Sequence, residues 1–238
     1  MNCEISWGAW LARLGAGMAF CGLLGGCQTQ TYFQSNFSST ALGQPPAHAQ
    51  AVGTADVDAQ HGGSVTVVAD PLNGGERWVR IANPTGQQVA FQGLLSNLTG
   101  DGTYTFLASF FVPSPGSAAS PETAIGTVQF ERWQSSIDYY GFLHLDFLPS
   151  GRIRIDDNMN TEFGTYPFDR PFVLAVTLNI GAAPNAHVGL LGSGASGSTD
   201  YAISSTLAHQ FGAIRLWQGY QWRGSFEAAG LLVSKRTD

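Results

Sequence analysis

Between residues 172 and 180 every second side chain is large and apolar. Phe172, Leu174, Val176, Leu178 and Ile180 fall on one side, and Val173, Ala175, Thr177 and Asn179 on the other. That period of two belongs to an extended strand with one face in a core, because a helix would space its apolar residues near 3.6. The same pattern recurs over 103–112, where Tyr104, Phe106, Ala108 and Phe110 alternate with Thr103, Thr105, Leu107 and Ser109. No stretch carries a long amphipathic helix. Residues 201–210 have room for one or two helical turns.

Further short strands are expected at 64–69, 77–82, 88–95, 124–133, 139–148, 152–156, 186–191, 211–217 and 224–233. Turn signals such as Asp70-Pro71, Asn83-Pro84-Thr85-Gly86 and Pro149-Ser150-Gly151 separate them. A dozen or so strands without helical crossovers predict an all-β fold, a two-sheet antiparallel sandwich or a barrel. The region 31–61 is the least regular. Tyr32, Phe33 and Phe37 nevertheless suggest that the chain enters the domain early, as a strand.

The start of the chain differs from the rest. From Leu14 to Leu24 there is no charge, and the run closes on Leu24-Gly25-Gly26-Cys27 before turning polar at Gln28-Thr29-Gln30. This apolar run suits a secretory signal and falls short of the ~20 residues that span a bilayer. Leu24-Gly25-Gly26-Cys27 resembles the bacterial lipobox. That resemblance implies cleavage before Cys27, a diacylglyceryl thioether on its sulfur and acylation of the new amine. Residues 1–26 would then be a signal peptide, 27–30 a lipidated tether and 31–238 one β-sandwich domain. The alternatives are an ordinary signal peptide with a chance cysteine, or a short uncleaved anchor. Gln28, where an Asp would resemble an inner-membrane retention signal, leans towards the outer membrane of a Gram-negative cell envelope. The only cysteines are Cys3, Cys21 and Cys27, so a processed domain has no disulfide and no cysteine metal site.

Setting aside Glu4 and Arg13 leaves 16 of the 17 acids and 10 of the 11 bases, with Lys235 the only lysine. Nucleic-acid binding needs a basic footprint, which this balance lacks.

The segments Trp222-Arg223-Gly224-Ser225-Phe226-Glu227 through Val233, Phe168-Asp169-Arg170-Pro171-Phe172, and 104–113 resemble strands of concanavalin A-like (laminin G-like) jelly rolls. The likeness is one of pattern across 33–236, without a diagnostic motif. It implies two curved antiparallel sheets. Relatives bind sugars on the concave sheet or its rim, or are glycoside hydrolases or lyases, and the fold does not choose among them.

The strands around Trp133 offer the best ligand face. Glu131 and Trp133, His144 and Asp146, Arg154, and Arg215 and Trp217 all alternate with core-type residues, so on a shared sheet they would share a side. Indoles that stack on sugar C–H groups, beside charged groups that bond hydroxyls, suit a glycan. The plain alternative is a solvated face of cross-strand ion pairs. Catalysis would need two carboxyls at fixed spacing. Glu131 and Asp146, with His144, are the candidates, although no glycosidase strand motif, nucleophile elbow or zinc-binding His pair is present. The reading is therefore a non-catalytic module for a polysaccharide or an envelope protein, with a hydrolase or lyase, or a structural lipoprotein, as alternatives.

Two weaker patterns remain. Gly192-Ser193-Gly194-Ala195-Ser196-Gly197 matches a dinucleotide fingerprint, but no helix is expected after it. Asp156, Asn158, Asn160 and Glu162 have the oxygen-rich spacing of a calcium loop, yet Thr161 and Pro167 stand where such a loop needs Gly and Glu. No cofactor is expected, with calcium at a sheet edge the open exception.

Overall fold

A computed structural model describes residues 28–59, 62–96, 100–115, 123–132, 141–156, 161–219 and 223–237. Its strands are β1 (Gln28–Ser35), β2 (Thr54–Asp58), β3 (Ser64–Ala69), β4 (Arg77–Asn83), β5 (Val89–Leu94), β6 (Gly102–Phe111) and β7 (Gly126–Arg132). They continue as β8 (Gly141–Phe147), β9 (Ile153–Ile155), β10 (Pro171–Ile180), β11 (Asn185–Leu191), β12 (Ser198–Ala202), β13 (Phe211–Gln218) and β14 (Gly224–Thr237). One sheet has eight strands in the order β12-β11-β10-β6-β14-β4-β3, with β1 also beside β14; the other runs β2-β5-β13-β7-β8-β9. Neighbours within both sheets pair antiparallel. This is the predicted two-sheet sandwich.

The alternation in the sequence becomes the core between the sheets. Tyr104, Phe106, Phe110, Phe172, Leu174, Val176 and Leu178 are buried from one side; Val128, Phe130, Leu145, Phe147, Ile214 and Leu216 are buried from the other. Aromatic rings join the layers edge to face. Phe106 meets Phe130 at 5.4 Å and 90°, and Tyr104 meets Phe211 at 5.3 Å and 89°. Such contacts are worth about 0.5–1.5 kcal/mol beyond the area they bury.

The longest strand, β14, has different neighbours along its length. Its first half pairs with β4 through Gly224–Ala228, and its second half with β1 through Leu231–Thr237. On its other side the register with β6 slips between Ala229 and Leu232. Gly230 sits in that slip at φ 60°, a left-handed conformation that costs glycine little.

Two strands escape the sequence pattern. In β2, Thr-Ala-Asp-Val-Asp buries only Ala55, and in β12 the run Ser-Thr-Asp-Tyr-Ala stays exposed or half-buried on a sheet edge. Neither presents an apolar face to recognise. β1 starts earlier than its aromatic residues suggest, because Gln28, Thr29 and Gln30 already pair with Thr237, Arg236 and Lys235. The glycine-rich 192–197 segment is a turn from β11 into β12, with Gly192, Gly194 and Gly197 at positive φ. No helix follows, so no helix terminus is there to hold a phosphate. The expected helical turns shrink to a 3-10 segment, Thr206–Gln210, capped by the Ser205 hydroxyl, which accepts from the Leu207 N–H at 3.2 Å. Among the described residues no helix is long and apolar enough to cross a membrane.

Candidate functional site

Pleating decides which residues form the outer face of the six-stranded sheet. Val128 and Phe130 point into the core, so Thr127, Gln129 and Glu131 point away from it, and the same logic turns Arg215, Trp217, His144, Asp146 and Arg154 outward. Strand register then aligns them. One row runs Gln92, Arg215, Gln129, His144, and the next runs Trp217, Thr127, Asp146, Arg154. Six of the residues singled out from the sequence thus lie on one face: Glu131, His144, Asp146, Arg154, Arg215 and Trp217. Trp133 lies outside the described residues, as do Cys27, Asn158 and Asn160.

Much of this face is withdrawn from water. Glu131, Asp146, Arg154 and Arg215 are 1%, 2%, 8% and 0% exposed, while His144 and Trp217 are half-buried. A charge so placed needs a partner, since desolvation outweighs what an isolated ion retains. Asp146 accepts from Arg154 Nη2 at 2.9 Å and from the Thr127 hydroxyl at 2.6 Å. Glu131 accepts from Gln92 Nε2 at 2.6 Å and lies 3.8 Å from Arg215 Nη1. Burial raises the Glu131 pKa, against the opposing pull of Arg215 and Gln92.

His144 is fixed through its backbone. Its N–H donates to the Asp156 carboxylate at 2.7 Å, and the Asp156 N–H donates to its carbonyl at 3.0 Å. Asp156 takes the left-handed conformation, φ 52°, as the chain leaves β9. The same carboxylate reaches Tyr201, whose pKa is pushed up to about 12 by burial first and then by the hydrogen bond and charge of Asp156. The side chains of His144 and Gln129 close over Gly141. A Cβ there would stand 2.3 Å from His144 Nε2 and from Gln129 Nε2, so only glycine leaves them this space.

Glu131 and Asp146, the carboxylate pair considered for catalysis, do not meet. Asp146 pairs in register with Thr127, four residues before Glu131. That is roughly 13 Å of strand, whereas glycosidase carboxyls stand about 5–10 Å apart. The bulge between Phe130 and Glu131 sets Glu131 opposite Gly141 and adds no approach. Gln92 and Thr127 complete the polar network and were not singled out from the sequence. Gln92 did leave a signal, as the lone polar side chain in Val89-Ala90-Phe91-Gln92-Gly93-Leu94.

The calcium pattern finds little support in the described part of its loop. The Asp156 carboxylate is engaged by His144 and Tyr201, and Glu162 pairs with Arg152 at 3.2 Å. No group of three or more His, Cys, Asp or Glu among the described residues is placed to hold a metal ion.

No family model matches the sequence, and no curated protein matches it. Solved structures do. The conserved carbohydrate esterase from Shiga toxin-encoding bacteriophage phi24B aligns with TM-score 0.57 and 10% identity over 89% of this chain and all of that one. The exoplasmic/lumenal domain of VIP36 in its metal-free form aligns with TM-score 0.52 and 11% identity over 87% and 92%. Peanut lectin with a nine-residue peptide aligns with TM-score 0.51 and 12% identity over 89% and 99%. At such identities the likeness is one of architecture, and that architecture is the lectin-like, concanavalin A-type jelly roll.

Proposed function

We propose that this chain is a lipid-anchored envelope module whose six-stranded sheet binds a glycan without catalysis. The carrying observation is the division of its outer face into two classes of residue. Glu131, Asp146, Arg154 and Arg215 are buried and committed to one another or to Gln92 and Thr127, while His144 and Trp217 keep partial access to solvent. The buried set fixes the frame. The accessible pair supplies an indole face for sugar C–H groups and an imidazole for hydroxyls. His144 lies two strands and two residues from Trp217, roughly 12 Å at ordinary sheet spacings, so the pair would contact an oligosaccharide at separate rings. The lectin-like fold supports this reading. The lipobox-like Leu24-Gly25-Gly26-Cys27 supports the anchor, and Gln28 after it supports the outer membrane.

Glycan-array binding of the purified protein tests the proposal. Trp217→Ala and His144→Ala should each weaken the leading glycan at least tenfold and leave the melting temperature within a few degrees. Binding unchanged in both variants, or no glycan bound at all, would reject it.

A further inference from the structure

The anchoring residue and the first strand are adjacent, and this fixes which end of the sandwich meets the bilayer. Resting on the proposed lipidation of Cys27, we infer that the end bearing the 181–184 turn lies against phosphate-bearing lipid headgroups, with the sugar-binding face held above them. Gln28 follows Cys27 directly and is the first rung of β1, paired with Thr237. Consecutive Cα atoms are 3.8 Å apart, so an acylated Cys27 would have almost no slack.

Register identifies that end. Gln30 pairs with Lys235, and Lys235 pairs with Tyr104. Two residues further, Gln28 draws level with Gly102, which pairs with Ile180 just before the turn. That turn is Gly181-Ala182-Ala183-Pro184, without charge, and Ala182 and Ala183 are exposed. Nearby, Arg132 stands opposite Phe211, whose ring lies under Tyr104, and Lys235 and Arg236 lie on β14. Asp101, at the foot of β6, is paired with His209 at 2.6 Å. Among the described residues this end presents small uncharged side chains at the turn, with Lys235 Nζ over the Tyr104 ring at 5.0 Å and the exposed Asp101 carboxylate held by His209; Asp138 and Asp238 lie outside them.

The site lies towards the far end. Arg215, level with His144, is four residues along β13 from Phe211, and Trp217 is six. At ~3.3 Å per residue, and with ~7 Å from Tyr104 to Gln28, His144 stands roughly 20 Å and Trp217 roughly 27 Å above the anchored end. A strand laid flat on the bilayer would bring the site to the lipid. An upright one holds it clear of the lipid.

The test uses the processed protein from bacterial membranes, reconstituted in phosphatidylcholine–phosphatidylglycerol vesicles doped with a headgroup-linked quencher. Processing removes Cys3 and Cys21 and acylation blocks Cys27, so Ala182→Cys and Arg170→Cys each carry a single thiol for a fluorophore. The inference requires several-fold stronger quenching at position 182 than at 170. Equal or reversed quenching, with Cys27 found acylated by mass spectrometry, would overturn the orientation and spare the anchor. An unmodified Cys27 with no vesicle association would overturn both.

Discussion

The Asp146 carboxylate and the Arg154 guanidinium meet across β8 and β9 at 2.9 Å, with their side chains only 3% and 9% exposed. A pair this deep adds little net stability while it is intact, because each ion has given up its hydration. Removing one member is costly, since the other is left uncompensated. Arg154→Met should therefore destabilise the domain by about 3–5 kcal/mol. Adding Asp146→Leu in the same chain should recover most of that loss. Urea melts of the two variants check this, and a double variant no more stable than the single one would contradict it.

Glu131 carries a pH signature. Its folded-state pKa is raised above the ordinary 4.5 by burial, so above pH 4.5 the unfolded chain binds fewer protons at this site than the native one. Stability must then fall as pH rises from 4.5 through the raised value, and level off beyond it. Glu131→Gln removes the titration. The melting temperature of wild type relative to this variant should drop across that window, which calorimetry at stepped pH will measure. A difference independent of pH would show that Arg215 and Gln92 fully offset the burial.

Two glycines should separate fold from site. A Cβ at Gly93 would stand 2.7 Å from Phe33 Cζ in the core, whereas one at Gly141 would meet the tips of His144 and Gln129. Gly93→Ala should cost about 1–3 kcal/mol by overpacking a ring that has nowhere to go. Gly141→Ala should displace two polar tips, weakening glycan binding with a much smaller loss of thermal stability. Thermal melts paired with binding titrations distinguish the two.

Calcium offers a fourth handle. With Asp156 and Glu162 already engaged, a chelator such as EDTA should move the melting temperature by less than about a degree and leave glycan affinity unchanged, because a bound ion would stabilise the native state by mass action. A clear fall on chelation would show that a bound metal supports the native state.

Much of the face that carries the proposed site is legible in the sequence alone. Alternation along 124–133, 139–148, 152–156 and 211–217 put Glu131, His144, Asp146, Arg154, Arg215 and Trp217 opposite core residues, and the sheet duly collects them on one side. Their burial was not legible. A charged residue at an outward position reads as solvated, and only the assembled structure sets Arg215 at 0% exposure with Glu131 beside it. The separation of Glu131 from Asp146 was likewise invisible, because register is a property of two strands.

Local rules therefore determined that this chain is all-β, where most strands lie and which side of each one packs inward, since pleat periodicity and turn chemistry act over a few residues. Tertiary structure decided the strand order, the register, the strands β2 and β12 and the pairing of β1 with β14. Those rest on contacts such as Gln28 with Thr237, more than two hundred residues apart, which no window of sequence contains.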